Sequence, residues 1–387
     1  MCMITKNKMI YIMNEYSENS VQHFYHIINL LEHIADQGVE IVIVIEKCDK
    51  LPEISNSHIR LIAQRETTKI RRTIELKGIL SKLMEEGYKK VFVRISTNAT
   101  IIAIQTARKY NGEVYYWNSG DNLTYDRKKK GLDKIRWLLT GYSKLFYIKT
   151  FVDHFVTGPE TMIDYYIDNL NVKREKMLLL YNDIDISRFK VGTSIDKEEL
   201  RNNLNLPKNS KIVLFVHRFT PVKRFDLQIP YVAETEEFLK NNAYLVVIGS
   251  GPDEQKIKNK IENSPFKDRV IMLGGVPNSE IQRYYSGADV FINPSYSEGF
   301  PRVVIEAMAC GLPVVATDVG GTRDIVGENQ IKYIVDKDDL ETFRTKVNEL
   351  ISSSELRDLL KKENLEFVKR YSTESVSKMY INQIFKD

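Results

Sequence analysis

Cysteine is scarce in this sequence. Its 387 residues include only three, Cys2, Cys48 and Cys310, and they are widely spaced. An odd and scattered set of cysteines provides neither a disulfide framework nor the paired spacing of a structural zinc site. The sequence therefore predicts a protein of the reducing cytoplasm.

Long apolar runs are also missing. Met1–Lys8 is polar, and the apolar run Met9–Met13 is short. A membrane-spanning helix needs about 20 apolar residues, and a signal peptide needs an apolar stretch of about 7–15. We expect neither segment, and any membrane contact is expected to be peripheral.

The sequence has no strong excess of one charge, no low-complexity tract and no internal repeat. It holds 56 basic and 52 acidic side chains, a formal net charge of +4, which is too small to indicate a nucleic-acid partner. Hydrophobic residues make up 43% and charged residues 28%, as is typical of globular proteins. A chain of this length is long for one hydrophobic core, so two domains are expected.

The sequence does contain a regular alternation of apolar strands and amphipathic helices. In the first half, apolar residues recur at helical spacing in Val21–Gln37, and β-branched residues fill Val39–Ile45 almost completely. Strands that are covered on both faces have this second composition. The alternation predicts an α/β fold with a doubly wound, mostly parallel sheet.

Ligands of such sheets bind beyond the carboxyl ends of the strands, and two loops of the first half lie there. Asn14–Ser20 contains no glycine, so it is poorly suited to cradle a phosphate. The loop Asn118–Asp126 contains two acceptor-side candidates, Asn118 and Asp121. Asp121 could accept a proton, or a hydrogen bond from a sugar hydroxyl. The alternative is that Asp121 only shapes the turn.

Residues 127–150 combine basic charge with aromatic side chains. Arg127–Lys130 is basic, and the predicted helix Leu132–Thr150 contains Trp137, Tyr142 and Phe146. An anionic membrane surface attracts this combination, so a peripheral contact with the inner face of the membrane through 127–150 is one hypothesis. A core-packing helix behind a solvated charge run is an equal alternative.

A polar stretch, Asn182–Asn205, separates the two halves, and the alternation restarts at Lys211. After the first strand of this half, a helix is expected over Phe225–Leu239. We predict an N-terminal domain over residues 1–188 and a C-terminal domain over residues 189–371. The final helix, 372–387, is expected to pack back on the N-terminal domain.

The segment Asn293–Gly321 carries the strongest chemical signal. It predicts a strand, a loop with Glu298, a helix that starts near Pro301 and a second strand. The first N–H groups of a helix lack intrahelical partners, so its N-terminus is an anion site. Glu298 and Glu306 would flank this site with carboxylates suited to hydroxyl groups. An ordinary βαβ unit with a solvated Glu306 is the alternative.

Arg218 and Lys223 lie in the predicted loop that follows the strand Ile212–His217. A planar guanidinium and a compact ammonium at this spacing can clamp one diphosphate, although two solvated charges are the simpler interpretation. Gly249 and Gly251 occupy the position of a nucleotide loop, but such a pair can also simply turn the chain.

Several motifs of the second half occur together in one known family: Arg218 with Lys223, Gly249–Pro252, Gly275–Ser295, Ser297–Pro301 and Glu306–Val314. With them the sequence resembles the retaining glycosyltransferase family 4, among the glycosyl transferases group 1. The similarity is dense over residues 176–330 and thin before them. It implies the GT-B fold, in which two Rossmann-like doubly wound domains face each other across a cleft.

The resemblance implies a metal-independent transfer of a hexose, with retention at the anomeric carbon and no cofactor. The partners would be a nucleotide-diphosphate sugar as donor and a glycan or glycolipid acceptor in surface-polysaccharide, glycolipid or lipid-linked oligosaccharide synthesis. Arg218, Lys223 and Glu298 would be catalytic and would bind the donor. The remaining donor-binding residues would be Gly249, Gly275, Val276, Gly299, Phe300, Pro301 and Glu306. Among these, Glu306 would hold the ribose hydroxyls, while Glu298 would hold the donor sugar.

The first half departs from the family pattern. Many members have a glycine-rich loop after the first strand and a His near the acceptor, whereas this sequence has Asn14–Ser20 and Trp117–Asp121 in those places. This departure supports one alternative, a non-catalytic partner subunit. A nucleotide-sugar epimerase or phosphorylase of the same fold is another alternative, against which the intact set of Arg218, Lys223, Glu298 and Glu306 argues.

Overall fold

The computed structural model describes residues 7–17, 25–118, 120, 130–225 and 232–386. The chain divides into two compact units. The first consists of Met1–Asp183 with Thr373–Asp387, and the second of Ile184–Ser372.

The first unit contains a seven-stranded sheet in which every strand runs parallel to its neighbours, in the order β3-β2-β1-β4-β5-β6-β7. In chain order its elements are β1 (Lys8–Met13), α1 (Tyr25–Asp36), β2 (Glu40–Ile45), β3 (Ile59–Ala63), α2 (Lys69–Glu85), β4 (Lys90–Arg94), α3 (Thr97–Ala107), β5 (Glu113–Trp117), α4 (Gly131–Trp137), α5 (Ser143–Phe151), β6 (His154–Thr157), α6 (Thr161–Leu170) and β7 (Met177–Leu179).

The sheet of the first unit is buried on both faces, as its β-branched strands require. One face packs under α2, α3 and α5, and the other under α1 and the C-terminal helix of the chain. On that second face the ring of Tyr380 lies 5.6 Å from Phe92, which also stacks on Tyr11 at 5.1 Å.

The second unit contains a six-stranded parallel sheet in the order β10-β9-β8-β11-β12-β13. Its elements, followed by the C-terminal helix that belongs to the first unit, are α7 (Ser194–Asn203), β8 (Lys211–Val216), α8 (Glu236–Lys240), β9 (Ala243–Ile248), α9 (Glu254–Glu262), β10 (Val270–Gly274), α10 (Ile281–Gly287), β11 (Val290–Asn293), α11 (Arg302–Ala309), β12 (Val314–Thr317), β13 (Ile334–Val335), α12 (Leu340–Ser352), α13 (Ser354–Phe367) and α14 (Thr373–Ile384).

Two stretches of the second half differ from the sequence prediction. The polar segment Asn182–Asn205 contains the helix α7, because Thr193 and Asp196 form a capping box at its start and Leu200 is buried. The helix expected over Phe225–Leu239 is interrupted before α8, where the Thr235 hydroxyl caps a new helix by accepting the Phe238 N–H.

Two predicted helices also differ in detail. The helix expected over Leu132–Thr150 is continuous but contains a π-helical turn at Leu138–Tyr142 between α4 and α5. Helix α11 begins at Arg302, and Pro301 is its N-cap rather than its first helical residue. Among the described helices, none combines the length and the apolar character that crossing a membrane requires.

Candidate active site

The predicted donor residues gather at one edge of the second unit. Strands β8, β9, β10, β11 and β12 are parallel, so their carboxyl ends all point the same way. Arg218 and Lys223 follow β8, Gly249 follows β9, Gly275 follows β10, and Glu298 follows β11.

Glycines let the loops after β8 and β9 approach each other closely. A Cβ on Gly249, whose φ is +148°, would lie 1.8 Å from the carbonyl oxygen of His217. A Cβ on Gly251, with φ of +154°, would lie 2.3 Å from the carbonyl oxygen of Phe219. The Gly249–Pro252 turn therefore requires glycine in order to pack against the loop that carries Arg218.

Glu298 is the buried centre of this edge, with only 8% of the residue exposed. Within the described part of the chain, every hydrogen bond to its carboxylate ends on Oε1. Lys223 Nζ donates at 2.8 Å, Ser295 Oγ at 2.6 Å, His217 Nε2 at 3.2 Å and Asn293 Nδ2 at 3.4 Å.

The backbone fixes the proton position on His217. The Arg218 N–H donates to His217 Nδ1 at 3.0 Å, so a neutral ring must carry its proton on Nε2, which faces Glu298. Burial lowers the pKa of His217, the Lys223 ammonium lowers it further, and the hydrogen bond to Glu298 opposes both. His217 is therefore a neutral donor to the carboxylate.

These contacts keep Glu298 ionised. Burial alone would raise the pKa of Glu298, but the Lys223 charge and the His217 hydrogen bond outweigh it and hold that pKa far below the usual range. A carboxylate in this state accepts hydrogen bonds and is a poor proton donor at neutral pH. The site thus offers a fixed negative acceptor beside a positive Lys223.

Two backbone contacts place Lys223 and Glu298 side by side. Lys223 ends a short 3₁₀ turn that begins at Pro221, and the N–H of Tyr296 donates to the carbonyl of Val222 at 2.7 Å. On the far side, a Cβ on Gly320 would lie 1.9 Å from the carbonyl oxygen of Glu298. The Glu298 loop is therefore clamped between the loops that follow β8 and β12.

Glu306 occupies a different environment on α11. Tyr285 OH donates to its Oε2 at 3.1 Å, and the Arg302 guanidinium lies 3.6 Å from Oε1. Burial raises the pKa of Glu306 above the usual range, although Arg302 and Tyr285 act in the opposite direction. Glu298 and Glu306 thus have pKa values shifted in opposite directions.

The N-terminus of α11 lies between these two glutamates in sequence. Its N-cap, Pro301, provides no side-chain hydrogen bond to the first turn. Phe300, the residue before Pro301, is buried. Its ring and that of Tyr371 meet edge to face, with their centroids 5.6 Å apart. The first N–H groups of α11 therefore keep the capacity to bind an anion that the sequence predicts.

Arg218 is exposed, and its guanidinium makes no hydrogen bond or ion pair with residues that the structure describes. The structure thus brings Lys223 and Glu298 together, while a meeting of Arg218 and Lys223 on one ligand stays a prediction. Gly275 and Val276 follow β10, and Val276 is buried. A Cβ on Gly275 would meet only Ser250, whose Oγ would lie 3.6 Å away. Gly299 is half-buried beside Glu298.

The acceptor-side prediction is only partly covered by the structure. Asn118 is half-buried, and its N–H donates to Val156 at 2.9 Å, while Asp121 lies outside the described residues. In the loop after β1, the N–H of Tyr16 pairs with the carbonyl of Lys47 at 2.9 Å and is therefore not available to a phosphate. The rest of that loop lies outside the described residues.

The helical segment from Gly131 to Phe151 exposes apolar side chains as well as charged ones. Trp137 and Ile148 are buried, so part of the segment packs on the core. Leu132 is 84% exposed, Leu139 71% and Phe146 53%. The segment therefore packs on the core only in part, and a peripheral membrane contact through 127–150 stays a prediction.

Sequence reasoning did not identify His217, Asn293 and Ser295 as members of the site. All three lie at or just after the carboxyl ends of β8 and β11, and that position is the signal that could have revealed them. Their convergence on one oxygen of Glu298 depends on how the two loops pack.

Comparison with known proteins finds a family match in the second half of the chain. Residues 196–367, which carry every donor-side candidate, match the family described as glycosyl transferases group 1. The predicted resemblance to the glycosyl transferases group 1 is thereby confirmed over these residues, while the activity of the whole chain stays a prediction.

The chain also has named relatives. A putative teichuronic acid biosynthesis glycosyltransferase of Bacillus subtilis is 38% identical over 148 residues, which are 38% of this chain and 34% of that protein. The chain spans about half the length, or less, of the curated relatives that it matches.

Solved structures resemble the chain outside residues 196–367 as well. A sucrose-phosphate synthase of Thermosynechococcus elongatus has a TM-score of 0.78 at 19% identity, over 98% of both chains. An Anabaena protein in complex with UDP and glucose has a TM-score of 0.75 at 15% identity, over 97% of this chain and 98% of that one. At this identity the likeness shows the fold alone, and the predicted α/β fold of GT-B type is confirmed.

Proposed function

We propose that this protein is a retaining, metal-independent glycosyltransferase of family 4, which transfers a hexose from a nucleotide-diphosphate sugar to a glycan or glycolipid. The observation that carries the proposal is the pair of partly buried Lys223 and buried Glu298 at the carboxyl edge of the second sheet, where the N-terminus of α11 has no side-chain cap. This edge offers positive charge for a diphosphate and fixed acceptors for hydroxyl groups.

Lys223 and Arg218 are proposed to bind the diphosphate and to stabilise the charge that develops as it leaves. The bond between the anomeric carbon and the diphosphate oxygen breaks, and the acceptor oxygen bonds to the same face of that carbon. The acceptor proton passes to the departing phosphate oxygen, so no protein base is needed. A preorganised donor aimed at developing charge is worth roughly 3–4 kcal/mol.

The two glutamates are proposed to position the donor. Glu298 stays ionised, which suits it to accept hydrogen bonds from sugar hydroxyls rather than to transfer a proton. Glu306 would hold the ribose hydroxyls, beside Tyr285 and Arg302. The backbone at Gly275 and Val276 is proposed to contact the base.

The acceptor is proposed to belong to surface-polysaccharide, glycolipid or lipid-linked oligosaccharide synthesis, at the cytoplasmic face of a membrane. The name of the Bacillus subtilis relative supports the polysaccharide context. The exposed Leu132, Leu139 and Phe146, with the exposed cations Lys134 and Arg136 among them, support a peripheral contact with anionic lipid.

The donor reaction is tested by incubating the purified protein with UDP-, GDP- and ADP-sugars and measuring nucleoside diphosphate release, with and without a cell extract as acceptor. Release should occur with one donor class, survive EDTA, and give a product that keeps the donor's anomeric configuration by NMR. Absence of release with every donor would contradict the proposal, while sugar interconversion without release would favour an epimerase.

The membrane contact is tested by sedimentation with vesicles of phosphatidylglycerol or phosphatidylcholine. Binding should require the anionic lipid, weaken with salt and fall in Leu132→Ser and Leu139→Ser. The matched control is Leu359→Ser, which alters another exposed leucine, on α13 of the second unit. Equal vesicle binding by all variants would contradict a membrane contact through residues 130–150.

A further inference from the structure

The second unit has a cavity of about 430 Å³ at the end of its sheet opposite to the donor residues. Lys211, the first residue of β8, lines it, together with Asp289 just before β11 and Pro313 just before β12. Because the strands are parallel, these amino ends lie across the sheet from the loops that carry Lys223 and Glu298. The cavity is therefore separate from the proposed donor site.

Basic side chains outnumber acidic ones in the described lining of this cavity. The basic residues are Lys197, Arg201, Lys208, Lys211, Arg357 and Lys361, and the acidic ones are Glu198, Asp289 and Asp358. Two of the three carboxylates already have partners. Asp289 binds Arg201 at 2.6 Å and Lys197 at 3.3 Å, and Glu198 binds Lys208 at 2.5 Å.

The remaining cations are less well compensated. Within the described ranges, Lys211 and Lys361 have no hydrogen-bond or ion-pair partner on their ammonium groups. Arg357 uses Nη1 to cap α12, donating to Leu350 at 2.6 Å and Ile351 at 3.0 Å. Lys211 loses solvent by burial, and Arg357, Arg201 and Lys197 add positive charge around it, so its pKa is lowered despite Asp289.

The same lining contains a buried hydroxyl in need of a partner. Ser210 is 1% exposed, and its Oγ has no hydrogen-bond partner among the described residues. A buried polar group without a partner is costly, and so is a crowd of like charges. An anion that accepts from Ser210 and neutralises Lys211 and Lys361 would relieve both costs.

We propose that this cavity binds a small multivalent oxyanion of the phosphate class, of which inorganic diphosphate is the simplest example. Lys211 and Lys361 act as point charges, and Ser210 donates a hydrogen bond. Arg201 and Asp289 form the buried frame, because their pair also binds the backbone at Ser210, Gly287 and Ile212.

The test is calorimetric titration of the full chain with inorganic pyrophosphate, without divalent cations, at low salt. The proposed donor site also attracts diphosphate, so the background carries Arg218→Gln with Lys223→Met, or Arg218→Gln alone if the double variant is unfolded. On this background one pyrophosphate should still bind. Lys211→Gln and Lys361→Gln should each weaken its affinity about tenfold, as expected for one charge-assisted bond.

Lys362→Gln is the matched control, since Lys362 is exposed, lies beside Lys361 on α13 and does not line the cavity. The Lys362→Gln variant should bind pyrophosphate with the same affinity as the background protein. Thermal unfolding checks that all variants are folded. Binding that is unchanged by both Lys211→Gln and Lys361→Gln would overturn the proposal. So would the complete loss of pyrophosphate binding on a folded background.

Discussion

Replacing Lys223 by Met is expected to destabilise the second unit. The residue is partly buried, with 15% of its side chain exposed, and it donates at 2.8 Å to a carboxylate that is 8% exposed. Loss of a charge-assisted hydrogen bond costs about 1.5–3 kcal/mol, and stranding a buried charge about 3–5 kcal/mol. Because Ser295, His217 and Asn293 still bind Glu298, the lower part of the second range, about 3 kcal/mol, is expected.

A unit of this size should lose roughly 2–4 °C in midpoint temperature per kcal/mol, which gives roughly 6–12 °C for Lys223→Met. The assay is urea and thermal unfolding at neutral pH of the wild type, Lys223→Met, Glu298→Gln and the double variant. If the two side chains form the pair that the structure shows, the effects are not additive. A coupling energy of about 1.5–3 kcal/mol is expected.

Strict additivity of the two substitutions would refute the reasoning, because it would mean that Lys223 and Glu298 do not interact in solution. The control is Lys240→Met, which removes an exposed pair with Glu236 on α8 of the same unit. Its effect should be close to zero, since exposed ion pairs contribute little. A large effect in this control would mean that loss of a lysine, rather than of the buried pair, is being measured.

Three further outcomes are expected. Glu306→Gln should weaken nucleotide binding about tenfold by calorimetry while the unfolding midpoint changes little, and unchanged affinity would remove Glu306 from the donor site. Gly249→Ala should cost more than about 3 kcal/mol or prevent folding, because its Cβ would overlap the His217 carbonyl. Gly274→Ala, at φ +72° in open space, should cost only about 1–2 kcal/mol, and equal losses would contradict the overlap. The stabilisation from ionised Glu298, whose folded pKa is depressed, should be fully present above a pH of about 4.3 and fall as the pH drops below it. Urea unfolding between pH 6 and pH 3 should therefore show a steeper acid loss in the wild type than in Glu298→Gln.

The sequence predicted most of the fold because its signals were local and repeated. Strands such as Val39–Ile45 are β-branched almost throughout, a composition typical of parallel strands with both faces covered. The prediction of helix positions failed where a single N-cap residue decides where a helix begins. Thr193 starts a helix inside an apparently polar linker, and Thr235 starts a new helix inside an expected longer one, and neither event changes the hydrophobic period.

The placement of the candidate donor residues was predictable for a related reason. A parallel sheet brings the carboxyl ends of its strands to one edge, so Lys223 after β8 and Glu298 after β11 were expected at one site although they are 75 residues apart. The geometry of the meeting was not predictable. His217 and Ser295 converge on Oε1 of Glu298 only because the loops after β8, β11 and β12 are packed together.

The sequence by itself determined that the chain forms parallel α/β sheets and that Lys223, Glu298 and Glu306 lie at the carboxyl edge of one of them. Both follow from strand composition and from the direction of the strands. Only the tertiary structure decided the charge state of Glu298 and the cation-lined cavity around Lys211. Charge states and cavities depend on distances between side chains that are remote in sequence, and packing sets those distances.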